Sequence, residues 1–351
     1  MWGGQLAAAA PWFVASGGAM WPSELPAAPR SEWFRTNSFS YGTFCDVAHL
    51  CQLKRERDVL ITLILPARNV AATIGDVLNA VASLRGARFP LLDQVIVIDS
   101  NSSDGTAAVA ERAHVEVYEE NRLMPRFGKA LGKGDAMWRG LSKAHGDIIA
   151  FADTDTRNFR FEFISSIVGC LLTKPGISFV KASYRRPFDG TEKPVPDGGG
   201  RVTELLAKPI LNMFFPELTG FVQPLAGEFA ATRELLYSVP FFTGYAVEIG
   251  LLIDAWQACG LQSMAQVDVG LRVNRHQDLA SLSRMSYSIL RAALLRAASV
   301  GRILASDGGG PGMRLDGMAA YFHAVARSEG LCLDEYCETL LERPPMRIEL
   351  A

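Results

Sequence analysis

The chain has 351 residues, 49% hydrophobic and 21% charged, with a formal net charge of −2. That balance suits one large α/β domain with an extension and excludes a chain too polar to bury a core. Charge this close to neutral gives no general attraction to nucleic acid or to an anionic membrane.

No window offers the ~20 uninterrupted apolar residues of a membrane span. The six cysteines (Cys45, Cys51, Cys170, Cys259, Cys332, Cys337) form no CxxC pair and read as reduced thiols of a cytoplasmic protein. Met1 to about Arg30 lacks the basic start of a signal peptide. It is expected to be a poorly ordered leader, with Met20 an alternative start.

In chain order, Val59–Leu65 is an apolar, β-branched run closed by Pro66, the pattern of a buried strand. After the loop Ala67-Arg68-Asn69-Val70, helical spacing over Thr73–Leu84 places Ile74, Val77, Leu78 and Val81 on one face. Gln94–Asp99 is a second buried strand, running into the polar turn Ser100–Thr106 and a helix over Ala107–Ala113. Val115–Tyr118 is a third strand. A Gly/Lys-rich loop, Gly128–Gly134, opens a helix over Asp135–Ala144, and a fourth strand ends on Asp153.

This alternation predicts a mainly parallel sheet with helices on both faces. In such a sheet the ligand lies beyond the carboxyl ends of the strands, where Pro66, Asp99-Ser100 and Asp153-Thr154-Asp155 all fall. The second half predicts a strand over Ile177–Ser183, a helix over Val202–Phe215, and a helix from Gly244-Tyr245 to about Gly260. A strand over Ala265–Val273 and a long helix over Leu279–Ala305 follow. Ser306–Gly312 reads as a flexible break before a peripheral helical tail.

Asp153 and Asp155 end a buried strand one residue apart, and at a strand end both can turn toward one divalent cation, which takes oxygen ligands. Taken alone, the pair reads as a strand-end turn in which an Asp caps the next helix; the rest of the chain favours the cation. Lys133, flanked by glycines before a helix, is placed to meet a diphosphate. The pattern is not a Walker loop, because Gly134 follows Lys133 where Ser or Thr is needed. Gly198-Gly199-Gly200-Arg201-Val202-Thr203 combines close backbone approach with an Arg and a Thr at a helix start, an anion cradle. Glu248, three residues after Tyr245, opens an apolar helix where its charge needs either the helix dipole or a hydroxylated ligand. Arg272, Asn274, Arg275 and His276 close the Ala265–Val273 strand. No Ser-His-Asp set or HExxH is present. The inventory describes group transfer from a diphosphate leaving group to an anionic acceptor.

With those residues in view, the chain resembles the GT-A glycosyltransferases, and within them the glucosyl- and mannosyl-3-phosphoglycerate synthases. The resemblance covers about Val59 to Ala298. It rests on Val97–Ser100, Gly132-Lys133-Gly134, Asp153-Thr154-Asp155, Lys181–Pro187, Gly198–Leu205, Gln223–Glu228 and Gly244–Gly250.

It implies a donor half over residues 31–180, an acceptor half over 181–305, and a break and tail over 306–351. Pro66, Ala67, Arg68, Ser100, Lys133 and Asp153 would hold a nucleotide sugar, UDP-glucose or GDP-mannose. Asp153 and Asp155 would carry Mg²⁺ or Mn²⁺. Gly200, Arg201, Thr203, Tyr245, Glu248, Arg272 and His276 would take 3-phosphoglycerate, with Asp155, Lys133 and Glu248 nearest the chemistry. Retention of anomeric configuration and a cytoplasmic homodimer are also implied.

Two departures stand out. Val70-Ala71 follow Asn69 where the family places acidic residues, which leaves the donor open. Asn274 occupies the family's metal-binding His position and His276 its Asn position, so the resemblance implies Asn274 or His276 as the third metal ligand, or a weaker metal site.

Overall fold

The computed structural model describes residues 27–187, 199–274, 277–303, 318–327 and 330–350. α1 (Ala27–Asn37), β1 (Ser38–Ser40) and α2 (Val47–Glu56) lead into a regular alternation: β2 (Ile61–Ala67), α3 (Ala71–Ala82), β3 (Gln94–Asp99), α4 (Thr106–Arg112), β4 (Glu116–Glu119), α5 (Lys133–Leu141) and β5 (Ile148–Phe151). The second half runs α6 (Glu162–Thr173), β6 (Phe179–Arg185), α7 (Lys208–Phe214), β7 (Phe229–Thr232), α8 (Arg233–Ser238), β8 (Phe241–Phe242), α9 (Val247–Cys259), β9 (Met264–Leu271) and α10 (Leu279–Ser299). The tail holds β10 (Met318–Arg327), β11 (Gly330–Thr339), β12 (Glu342–Arg343) and α11 (Met346–Leu350).

The main sheet has the order β1-β9-β6-β7-β5-β2-β3-β4. Every pairing in it is parallel except those of β7, which runs antiparallel to both β5 and β6. The continuous apolar strands are explained by two-sided burial. Along β2, Leu63 and Leu65 face one core while Ile64 faces the other; along β3, Val95 and Val97 alternate with Ile96 and Ile98 in the same way. One core is roofed by α2, α3 and α6, the other by α5, α7, α9 and α10. The chain winds outward from β2 to β4 and returns to β5 on the other side of β2. That reversal opens a crevice at the carboxyl ends of β2 and β5, where ligands of such sheets lie. The two expected halves share this one sheet, because β6 and β7 continue it beyond β5.

Three expectations change. The leader expected to reach Arg30 lies outside the described residues only to position 26, and α1 begins at Ala27 and buries Trp33, whose indole N–H donates to the Met264 carbonyl at 2.9 Å. The tail does end in a helix, α11, but the larger part of its described residues is the antiparallel pair β10 and β11. The Ala-, Leu- and Glu-rich composition favours helix there, and the local propensity is overridden by pairing of the two segments. Nor is the tail peripheral. β12 pairs with β8, Met346 is fully buried, and the buried Arg343 meets Asp135 of α5 at 2.9 and 2.7 Å. Among the described residues no helix is long and apolar enough to cross a membrane.

Candidate active site

At the end of β5 the two acids meet a set of cations. Lys133, the first residue of α5, pairs with Asp153 and, at 2.5 Å, with Glu248 at the start of α9. Arg272 follows β9 and reaches Asp153 at 2.8 Å, Asp155 at 3.3 Å and Glu228 at 3.2 Å. It also donates to the Tyr184 hydroxyl at 2.8 Å and the Thr156 hydroxyl at 3.1 Å.

Burial alone would raise the Asp153 pKa, but the Lys133 and Arg272 charges hold it well below the ordinary carboxylate range. Burial likewise opposes the charge on Lys133, yet Asp153 and Glu248 hold its pKa above the usual lysine value. Deeper still, burial pushes the Glu228 carboxyl up and brings Lys181 down to about 8; Lys181 donates to the Ala226 carbonyl at 2.8 Å. Gly227 lies against Asp153 so closely that any Cβ would collide with the carboxylate.

The loops after β2 and β3 are tied together. Asn69 sits at φ 52°, a left-handed conformation Asn tolerates. Its side-chain oxygen accepts from the Ser103 N–H at 2.9 Å while its own N–H donates to the Ser102 hydroxyl at 2.9 Å. Thr154 donates to the Pro66 carbonyl at 2.8 Å, locking the end of β5 to the end of β2. Asp104 accepts from the Ala71 N–H at 2.9 Å, so a carboxylate from the neighbouring loop reaches the stretch where Val70 and Ala71 replace acids.

Across the cleft, Gly199 packs on Arg186 so that a Cβ would stand 2.8 Å from the Arg186 backbone oxygen, and Gly200 adopts φ 74°. Only glycine satisfies both conditions easily. They launch a helical stretch with a π-helical turn over Thr203–Ala207 that continues into α7.

A cleft of about 360 Å³ joins the two sides. Pro66, Ala67, Arg68, Ser100, Lys133, Asp153 and Asp155 line it together with Gly200, Arg201, Thr203, Tyr245 and Glu248. Leu282, Met285 and Ile289 of α10 form an apolar wall. All of these expected residues are thus brought to one cleft. Tyr245 is 47% exposed within it.

Arg272, expected among the acceptor groups, lines the cleft but is only 3% exposed, and its guanidinium already contacts Asp153, Asp155, Glu228, Tyr184 and Thr156. It positions the acids. Asn274 accepts from Arg186 at 2.9 Å, so its oxygen is already engaged, and His276 lies outside the described residues. Arg186, Glu228 and Gly227 were visible only as parts of motifs. Arg186 could have been picked out as a cation in the basic run after β6; nothing marked Glu228, whose role depends on a strand that pairs far away in sequence.

The acids fit a hard divalent cation. Asp153 and Asp155 offer carboxylate oxygens to the cleft, and Asp155 is 43% exposed on its side chain. Among the described residues no group of three His, Cys, Asp or Glu surrounds such a position. That suits Mg²⁺ or Mn²⁺, which take one or two carboxylates and complete their shell with water and substrate phosphates.

Comparison with known proteins accords with this geometry. Residues 62–216 match glycosyl transferase family 2. The glucosyl-3-phosphoglycerate synthase of Petrotoga mobilis is 41% identical over 266 residues, covering 76% of this chain and 82% of that protein. The crystal structure of mannosyl-3-phosphoglycerate synthase from Rubrobacter xylanophilus is 50% identical with a TM-score of 0.83, covering 92% of this chain and 98% of that one. Glucosyl-3-phosphoglycerate synthase from Mycobacterium tuberculosis, in complex with Mn²⁺, UDP-glucose and phosphoglyceric acid, is 36% identical with a TM-score of 0.72, covering 86% and 95%. The sheet is that of the GT-A glycosyltransferases, and the chain belongs to the glucosyl-3-phosphoglycerate synthase family.

Proposed function

We propose that this protein is a metal-dependent retaining glycosyltransferase that moves glucose from UDP-glucose to 3-phospho-D-glycerate, giving glucosyl-3-phosphoglycerate. The observation that carries the reading is the cleft lined by Lys133, Asp153 and Asp155 together with Gly200, Arg201, Thr203 and Glu248. The first three suit a diphosphate, and Gly200, Arg201 and Thr203 suit a phosphorylated acid. Pro66, Ala67, Arg68 and Ser100 hold the nucleoside. Arg201, with Thr203 and the N–H groups at the helix start, takes the acceptor's anionic groups. Tyr245 and Glu248 position hydroxyls.

The acceptor hydroxyl bonds to the anomeric carbon on the face from which the diphosphate departs. The bond from that carbon to the phosphate oxygen breaks, and the departing oxygen takes the hydroxyl proton, so configuration is retained. Mg²⁺ or Mn²⁺, held by Asp153 and Asp155, supplies Lewis-acid stabilisation of the leaving diphosphate when bound. Lys133 adds a fixed positive charge at the same place. Arg272 and Gly227 keep the Asp153 carboxylate where it is needed.

A second reading keeps the chemistry and changes the donor to GDP-mannose. It is favoured by the 50% identity to the Rubrobacter xylanophilus mannosyl enzyme, and Val70-Ala71 in place of acids leaves it open. The deciding experiment offers 3-phosphoglycerate with UDP-glucose or GDP-mannose, each with Mg²⁺, Mn²⁺ or EDTA. Metal-dependent phosphorylated product identifies the sugar; no product from either donor refutes the acceptor assignment. A cytoplasmic homodimer is part of the proposal, supported by exposed Leu205, Met213 and Leu279, and light scattering of a monomer mass would refute it.

A further inference from the structure

Glu120 is a buried acid that the proposed reaction leaves unused. Register pairs Asp99 of β3 with Glu119 of β4, so Ser100 and Glu120 leave the sheet side by side at its carboxyl end. Ser100 lines the cleft. Glu120 lies behind it, 2% exposed, with one carboxyl oxygen lacking any partner and the Ser100 hydroxyl close enough to hold its charged form. Facing it are Arg68 from the end of β2 and Asp135 and Arg139 from α5. The α5 pair is already engaged: Asp135 with Arg343 at 2.9 Å and with Arg139 at 3.2 Å, and Arg139 with the Gly128 carbonyl at 2.8 Å.

β2 separates β3 from β5, so Ser100 stands two strand spacings, ~9.6 Å, from the strand end that carries Asp153. A diphosphate beside Lys133 and Asp153 therefore lays its nucleoside, not its phosphates, at Ser100. A hydroxyl has one proton to give. An ionised Glu120 can only accept, so Ser100 turns its proton inward and offers lone pairs to the cleft. A protonated Glu120 donates to the Ser100 oxygen instead, and the hydroxyl proton turns outward.

We infer that Glu120 is a positioning residue that sets Ser100 as a hydrogen-bond acceptor for a ring N–H of the donor's base. The pair thereby selects uracil or guanine, which carry that N–H, over cytosine, which presents a bare ring nitrogen. This rests on the nucleotide-sugar reading above and adds the basis of its base choice. Burial pushes the Glu120 carboxyl up to about 7, so the polarity of Ser100 reverses close to neutrality. Base selectivity is then greatest above that pH and fades below it.

The test is calorimetric titration of the full chain with Mn²⁺ and UDP, GDP or CDP between about pH 6 and about pH 8, taking the affinity ratio of the tighter of UDP and GDP to CDP. The ratio cancels titrations that the nucleotides share, including those of the phosphates and the metal site. It should be about five-fold larger at the upper pH than at the lower, the worth of one hydrogen bond. In Glu120→Gln, whose amide can present either group at any pH, the ratio should no longer vary with pH. In Ser100→Ala it should be small throughout. A ratio independent of pH in the wild type, or preserved in Ser100→Ala, overturns the inference while leaving the donor reading intact. No binding of any of these nucleotides overturns both.

Discussion

Gly227→Ala is the sharpest single test of how the acids are held. A Cβ at Gly227 would stand 2.5 Å from both Cγ and Oδ2 of Asp153, and closer still to Oδ1. A carbon–oxygen contact needs ~3.5 Å, so something must move by about an ångström. Asp153 cannot yield freely, because Lys133 holds one oxygen and Arg272 the other at 2.8 Å. The backbone cannot yield freely either, since Glu228 and Phe229 enter β7, paired on both sides. Forcing a methyl into such packing costs about 1–3 kcal/mol. If that strain displaces the carboxylate that serves the transition state, kcat/KM falls roughly 5- to 150-fold. The assay is sugar transfer to 3-phosphoglycerate at saturating Mn²⁺, with metal affinity measured separately and a thermal melt to confirm folding. Wild-type kcat/KM and wild-type metal affinity in a folded Gly227→Ala protein would refute the argument that this contact fixes Asp153.

Other outcomes follow from the same geometry. Arg201→Ala should raise KM for 3-phosphoglycerate by about 10- to 100-fold, the worth of a charge-assisted hydrogen bond, with KM for the donor unchanged; steady-state kinetics in each substrate separates the two. Lys133→Ala leaves Asp153 and Glu248 without their shared cation and should lower kcat by about 100-fold or more, as losing one preorganised charge does elsewhere; a loss confined to KM would contradict that role. Glu120 predicts a pH dependence of stability. Its carboxyl stands at about 7 in the fold against an ordinary 4.5, so between those values the native state keeps a proton that the unfolded chain has lost. Stability therefore falls as pH rises through that window. Glu120→Gln should gain on the wild type by up to ~3 kcal/mol above it and nothing below it, and denaturant melts showing a gap constant with pH would contradict this.

What was legible in the sequence follows from how local each signal is. The strands β2, β3 and β5 are buried on both faces, so their apolar runs are continuous and their ends are marked by Pro66, Asp99 and the Asp153–Asp155 pair. Lys133 and Gly200 sit where glycines bracket a helix start, a pattern set within a few residues. β7 was not legible. Phe229–Thr232 is too short to show a period, and its place depends on pairing with both β5 and β6. Arg272 was placed with the acceptor groups because a guanidinium at a strand end looks available; its burial is decided by Tyr184, Glu228 and Thr156, drawn from three other stretches of chain. The antiparallel pair of β10 and β11 was hidden for the opposite reason, since its composition favours helix until the two segments pair.

The charge balance of the cleft explains why Arg272 and Lys181 are buried at all. Asp153, Asp155, Glu228 and Glu248 bring four carboxylates to one region, and Lys133, Lys181 and Arg272 bring three cations. Without those cations, mutual repulsion and burial would protonate some of the acids. Glu228, fully buried and with no hydrogen bond to its oxygens, already has its pKa raised, while Asp153 is held well below the ordinary range. The two acids are thus driven apart: the Lys133 and Arg272 charges outweigh burial at Asp153, while burial outweighs the Arg272 charge at Glu228. Asp153, at the cleft, remains ionised at any working pH, and Glu228, behind it, absorbs the cost. A site that must meet a dication and a diphosphate benefits from fixing its carboxylate this way before substrate arrives, because no reorganisation is then left for the reaction itself.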